Sequence, residues 1–156
     1  ENASGDYVIY FSGPPQSGGP ETSVTRLVPI TPCRVLDTRQ AGGVFGNGTT
    51  RDYRVWGSGL DSQGGAFDCG VPETATAVQL NFTAVSPAGF GYLRAWPFEK
   101  AEPTATLMVY NTGVSISNSV ALPVCNDCDS DFSVKLYGAT THLVVEVVGY
   151  YKSPRQ

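Results

Sequence analysis

Apolar and polar residues alternate with a period of two along most of this chain, and Gly, Pro, Asn and Asp interrupt the alternation at short intervals. The clearest run is 77–85, where Val78, Leu80, Phe82 and Ala84 share one face. Comparable runs predict strands over 51–56, 92–96, 106–110, 119–124, 132–137 and 142–151. Residues 26–30 open the domain, and 31–39 read as a short strand ending in a pinned turn. Glycine-rich 41–50 and turn-rich 57–70 are loops. No window combines a helical period with capping residues. The pattern predicts an all-β fold, an antiparallel β-sandwich or jelly-roll-like domain. Residues 78–85 and 143–148 are weakly alike, a hint of two similar halves.

Ahead of this domain, Tyr7, Val8, Ile9, Tyr10 and Phe11 form an extended signal that is apolar on both faces. A Gly/Pro-rich stretch follows. The predicted organisation is a donor-type strand over 1–12, a linker over 13–24, the sandwich over 25–152 and a tail over 153–156. An apolar strand left in solvent is an aggregation hazard. It is expected to dock, either on its own sheet or on a neighbour by strand addition. Repeated head-to-tail docking does not close, so the expected partner is the protein itself, as a homopolymer.

Composition narrows the function. A net charge of −4 and a pI near 4.8 argue against a nucleic-acid partner. No run of 18 apolar residues occurs, so no membrane insertion is expected. Glu1 reads as a processed N-terminus whose leader has been removed. The four cysteines, Cys33, Cys69, Cys125 and Cys128, are an even set. Zinc is the rival reading, but it needs two paired motifs and only Cys125-Asn126-Asp127-Cys128 is one. Two disulfides and an oxidising, extracellular compartment are therefore expected. A redox role for that C-x-x-C needs a helix after it, and here a strand signal follows.

The densest chemistry is Thr31 to Arg39. Asp37 followed by Thr38 predicts a turn in which the carboxylate takes the backbone N–H of Arg39, with Arg34 or Arg39 neutralising it. These three residues read as a structural keystone, the alternative being an exposed arginine site for an anion. Asp127, Asp129 and Asp131 are a weak calcium candidate, lacking the glycine and distal glutamate of a calcium loop. Trp56, Tyr92 and Trp96 are the candidate stacking platform for a cell-surface glycan. Asn2 and Asn47 head candidate glycosylation sequons, as does Asn81 within a strand. The only histidine, His142, shares a strand face with Glu146, a weak acid–base pair. Asp37-Thr38 lacks the glycine of an aspartic-protease loop, and Gly57-Ser58-Gly59 lacks the spacing of a nucleophile elbow. No enzyme and no cofactor is expected.

Leu27-Val28-Pro29 through Arg39, Cys69-Gly70-Val71-Pro72, Gln79-Leu80-Asn81-Phe82-Thr83, Gly91-Tyr92-Leu93, Trp96-Pro97, Asn118 and Gly149-Tyr150-Tyr151 occur in that order. Over roughly 26–151 this set resembles a β-rich module of secreted and cell-surface proteins of acidobacteria, actinobacteria and myxobacteria. The resemblance implies an all-β fold, export and a Cys33–Cys69 pairing, and it implies no established activity. The end differs, being Gly-Tyr-Tyr where such modules close with Asn-Gly-Tyr-Phe. The Cys125/Cys128 pair and the N-terminal segment are particular to this chain. The expected function is a secreted structural subunit assembled by strand donation, with a glycan- or cell-wall-binding module as the alternative.

Overall fold

The computed structural model describes residues 24–153. The expected strand and most of the linker, together with Asn2 and residues 154–156, lie outside the described residues. Eight strands are present among them: β1 Arg26–Asp37, β2 Thr50–Tyr53, β3 Ala77–Val85, β4 Gly91–Pro97, β5 Met108–Tyr110, β6 Ile116–Pro123, β7 Phe132–Gly138 and β8 His142–Lys152. They form two antiparallel sheets, ordered β1-β8-β3-β6 and β2-β7-β4-β5. Strand 1 therefore lies beside 8, 2 beside 7, 3 beside 6 and 4 beside 5. That is one long hairpin wound into two layers, the jelly-roll arrangement.

Alternation does the sorting, because successive side chains point to opposite faces. Val78, Leu80, Phe82 and Ala84 of β3 meet Phe132, Val134 and Leu136 of β7 across the core, and all are fully buried. The Phe82 and Phe132 rings join the sheets edge to face, 5.9 Å apart. β3 and β8 pair directly in the first sheet, so the likeness of their sequences reflects two neighbouring central strands.

Most boundaries shift by a residue or two from the sequence pattern, and three of the differences have a clear cause. β1 runs unbroken through Pro29 and Pro32, which an edge strand tolerates, and it shifts register between Pro29 and Cys33. β2 stops at Tyr53 because the N–H of Val55 goes to Asp131 rather than to a neighbouring strand. β6 begins at Ile116, three residues ahead of its apolar signal, since Ser117 and Ser119 lie on its solvent side. A short 3-10 turn, Leu60–Gln63, was not signalled, and glycines in the left-handed region, Gly59 and Gly64, bound it.

Candidate functional site

The Thr31–Arg39 segment supplies the last seven of the twelve residues of β1 and the turn after it. Asp37 is 1% exposed, and its Oδ1 accepts the Arg39 backbone N–H at 3.0 Å and Nε at 2.9 Å. Its Oδ2 accepts Arg39 Nη2 at 2.7 Å and Arg34 Nη1 at 3.1 Å. The Arg39 guanidinium beside it holds this carboxyl below its ordinary range despite the burial. Thr38 ties the turn to β8, its hydroxyl accepting the Leu143 N–H and meeting His142 Nδ1. Arg34 also reaches Glu146, so His142 and Glu146 bond to β1 and the turn after it rather than to each other. Each arginine is spent on Asp37, and the arrangement locks two strands.

A jelly roll has two open sides, and a side-chain amide bridges each. On the β1/β2 side, Gln63 Nε2 donates to the carbonyls of Val35 and Arg54 while its Oε1 accepts the Arg54 N–H. That side is further closed by the Cys33–Cys69 disulfide, 5.6 Å between Cα atoms, and by Gly64 and Gly65. Both glycines lie against the β1 backbone so closely that a Cβ would collide with it. On the β5/β6 side, Asn118 Nδ2 donates to the Leu107 carbonyl and its Oδ1 accepts the Ser119 N–H. Beside Asn118 lies a groove of about 230 Å³ lined by Ala95, Pro103, Ala105, Leu107 and Val120. The pattern of apolar positions did not reveal either amide, although Asn118 belongs to the motif set that carries the resemblance.

The outer face of the second sheet holds a compact polar cluster. The Tyr92 and Tyr137 rings stack 4.8 Å apart, with Arg94 and Lys135 near their faces. Glu102, from the β4–β5 loop, accepts from Tyr137 at 2.6 Å, Arg94 at 3.0 Å and Lys135 at 3.3 Å. The Tyr137 hydroxyl, and then the two cations, keep the Glu102 carboxyl below its ordinary value. This cluster pins the loop that runs on to Leu107. It also corrects the stacking-platform expectation: Tyr92 is already stacked, Trp96 is only 7% exposed, and Trp56 packs on the core beneath Arg54.

Cys125 and Cys128 are joined as expected. Glu99 comes within 4.8 Å of both sulfurs, but those sulfurs are bonded to each other, which leaves one carboxylate. The acidic run does not gather around a cation either. Asp131 turns inward to 1% exposure, its Oδ2 accepting the Val55 N–H at 2.7 Å, away from Asp127 and Asp129. Burial pushes this carboxyl above its ordinary value, against the opposing pull of the Val55 N–H, the Trp56 indole and backbone N–H, and Arg54. A raised folded pKa makes the charged form a liability at neutral pH, one that disappears as pH falls below the unfolded value near 3.9. Asp131→Asn keeps an acceptor for Val55, so at pH 7 it should equal wild type or exceed it by up to about 1 kcal/mol. The gain should vanish by pH 4 in urea titrations. A loss beyond about 2 kcal/mol at pH 7 would show that the charge itself is needed.

Asn47 is exposed, but its side-chain carbonyl accepts the Gly138 N–H, so its amide helps hold the β7–β8 turn. Asn81 faces outward on β3 opposite Ser119, and Gln79, Thr83, Ser117 and Ser119 give that sheet a polar outer surface. Among the described residues, no helix is long and apolar enough to cross a membrane. No protein-family model matches this chain and no curated protein is significantly similar to it.

Proposed function

We propose that this protein is an exported structural module that assembles by donating residues 7–11 to a neighbouring copy. One observation carries the reading: among the described residues, 26–152 supply two four-stranded sheets and the core between them. The five apolar side chains of residues 7–11 lie outside this set and need cover of their own. Covering them gains roughly 1.5–3 kcal/mol each before ordering costs. Two disulfides support an oxidising compartment. A head-to-tail contact of this kind propagates into a filament or surface layer.

The test compares the full chain with Ile9→Asp by sedimentation velocity and negative-stain electron microscopy. Wild type should form concentration-dependent polymers. The variant should sediment as a monomer with an unchanged melting temperature. Monomeric wild type at all concentrations, or a variant that unfolds, would show that the segment belongs to its own domain.

A further inference from the structure

We infer that the acceptor for residues 7–11 is the edge of β6 that no other described strand pairs, with its adjoining groove, an inference that rests on the assembly reading above. The argument is by the condition of each sheet edge. Strand addition draws its affinity from main-chain hydrogen bonds, so a long, unbroken row of backbone groups favours it. β2 has four residues and β5 three, both shorter than the five-residue segment. β1 is long enough, but Pro29 and Pro32 lack N–H groups, and two register shifts break its ladder. Its second half is already covered: Ala66 donates to the Arg34 carbonyl, Leu36 bridges to Gly64, and Gln63 takes the Val35 carbonyl.

β6 is different in each respect. It is eight residues long, pairs with β3 in continuous register from Ala84–Ile116 to Ala77–Pro123, and has its only proline at the last position. Ser117, Asn118, Ser119 and Ala121 are exposed. An added strand would set alternate side chains on the two sides of the sheet. Tyr7, Ile9 and Phe11 would then face the groove floored by Ala95, Leu107 and Val120, whose 230 Å³ equals roughly eight waters of liquid volume. Val8 and Tyr10 would lie over the polar outer surface beside Ser117 and Ser119. Among the described residues the Asn118 side chain occupies the edge, its Oδ1 on the Ser119 N–H and its Nδ2 on the Leu107 carbonyl. It blunts the edge until a strand arrives, as side chains on free edges commonly do.

Reach sets no limit. Arg26 pairs with Lys152, and Ala77 pairs with both Tyr151 and Pro123, so β1 starts at the end of the sheet where β6 finishes. Three strand spacings separate them, about 14 Å. Twelve linker residues can span at most about 40 Å, so the length of the linker permits docking on a β6 edge in the same chain or in a second copy.

The experiment places p-benzoylphenylalanine at Tyr10 of the full chain, irradiates it, and maps the crosslinked peptide after trypsin. Residues 101–135 form one tryptic peptide, bounded by Lys100 and Lys135, while 27–34 reports β1. The expected product is a two-chain crosslink whose fragments place the bond within 116–123, with a yield that falls at least tenfold when Ile9→Asp is added. A bond within 116–123 inside one chain would keep the acceptor and remove the assembly reading. A bond in 27–34, bonds scattered over the surface, or a yield indifferent to Ile9→Asp would overturn the β6 assignment. In that case sedimentation would still decide assembly by itself.

Discussion

Replacing Asp37 by Ala should lower the stability by about 3 kcal/mol, the largest loss expected from any single charge in the molecule. Removing one partner of a buried ion pair costs about 3–5 kcal/mol, because the other partner is stranded. The lower end applies because Arg34 and Arg39 are each 42% exposed and regain water when the carboxylate goes. Asp37→Asn should be nearly as damaging. A neutral amide puts N–H donors against guanidinium donors that had been paired with oxygens. The sign of the pH dependence follows from the lowered folded pKa. The stabilisation from this group is fully present above the unfolded carboxyl value near 3.9, and it is lost as pH falls through the folded value below that. Wild type should therefore weaken in acid more steeply than either variant, and urea unfolding followed by tryptophan fluorescence between pH 2.5 and 7 would measure it. Parallel curves for wild type and Asp37→Asn would mean that the network does little for the fold.

Opening the Cys33–Cys69 bridge with paired serines should cost about 4 kcal/mol, the chain-entropy figure for a closed loop of this length. The separation is 36 residues, against 3 for Cys125–Cys128, whose removal should be felt far less. The two large effects act on one unit. The bridge fixes β1 against the loop that carries Gln63 and Gly64, and Asp37 fixes the end of the same strand to the turn after it, which Thr38 ties to β8. Losses that share a strand couple, so the combined variant should lose less than the separate losses added together. Simple additivity in the double-variant cycle would argue that β1 is held at two independent points.

How far the chain could be read without coordinates depended on how many faces each strand buries. β3 has one buried face and one wet face, so its alternation marks both ends, Ala77 and Val85, without error. β5, three residues at a sheet edge, carries too little pattern to be bounded. Short-range chemistry was legible too, as with the Asp37 carboxylate reaching the Arg39 N–H two positions on. What escaped was long-range pairing of polar groups. Asp131 looks like the third member of a surface acidic run, yet it is drawn inside by Val55, 76 positions away. Gln63 sits in a turn-rich passage and reads as solvent, while its amide joins β1 to the residues after β2. Likewise Trp96, spaced as an outward residue of β4, is covered. Each such pairing is set by topology, which a local window does not contain.

The wound hairpin also governs how the domain would carry load. The chain enters the first sheet at Arg26 and leaves it at Lys152, and these two residues are partners in the same antiparallel ladder. Tension applied between the points of entry and exit acts across the β1–β8 hydrogen bonds one at a time, in the manner of a zipper, and not along them all at once. The first stretch to open is 26–32, which releases about 23 Å of β1 at the usual rise per residue. Peeling then meets a covalent stop at Cys33, and behind it the clasp of Asp37. A filament whose load passed through these points would yield softly at small extension and stiffen abruptly, with the core of every subunit still intact.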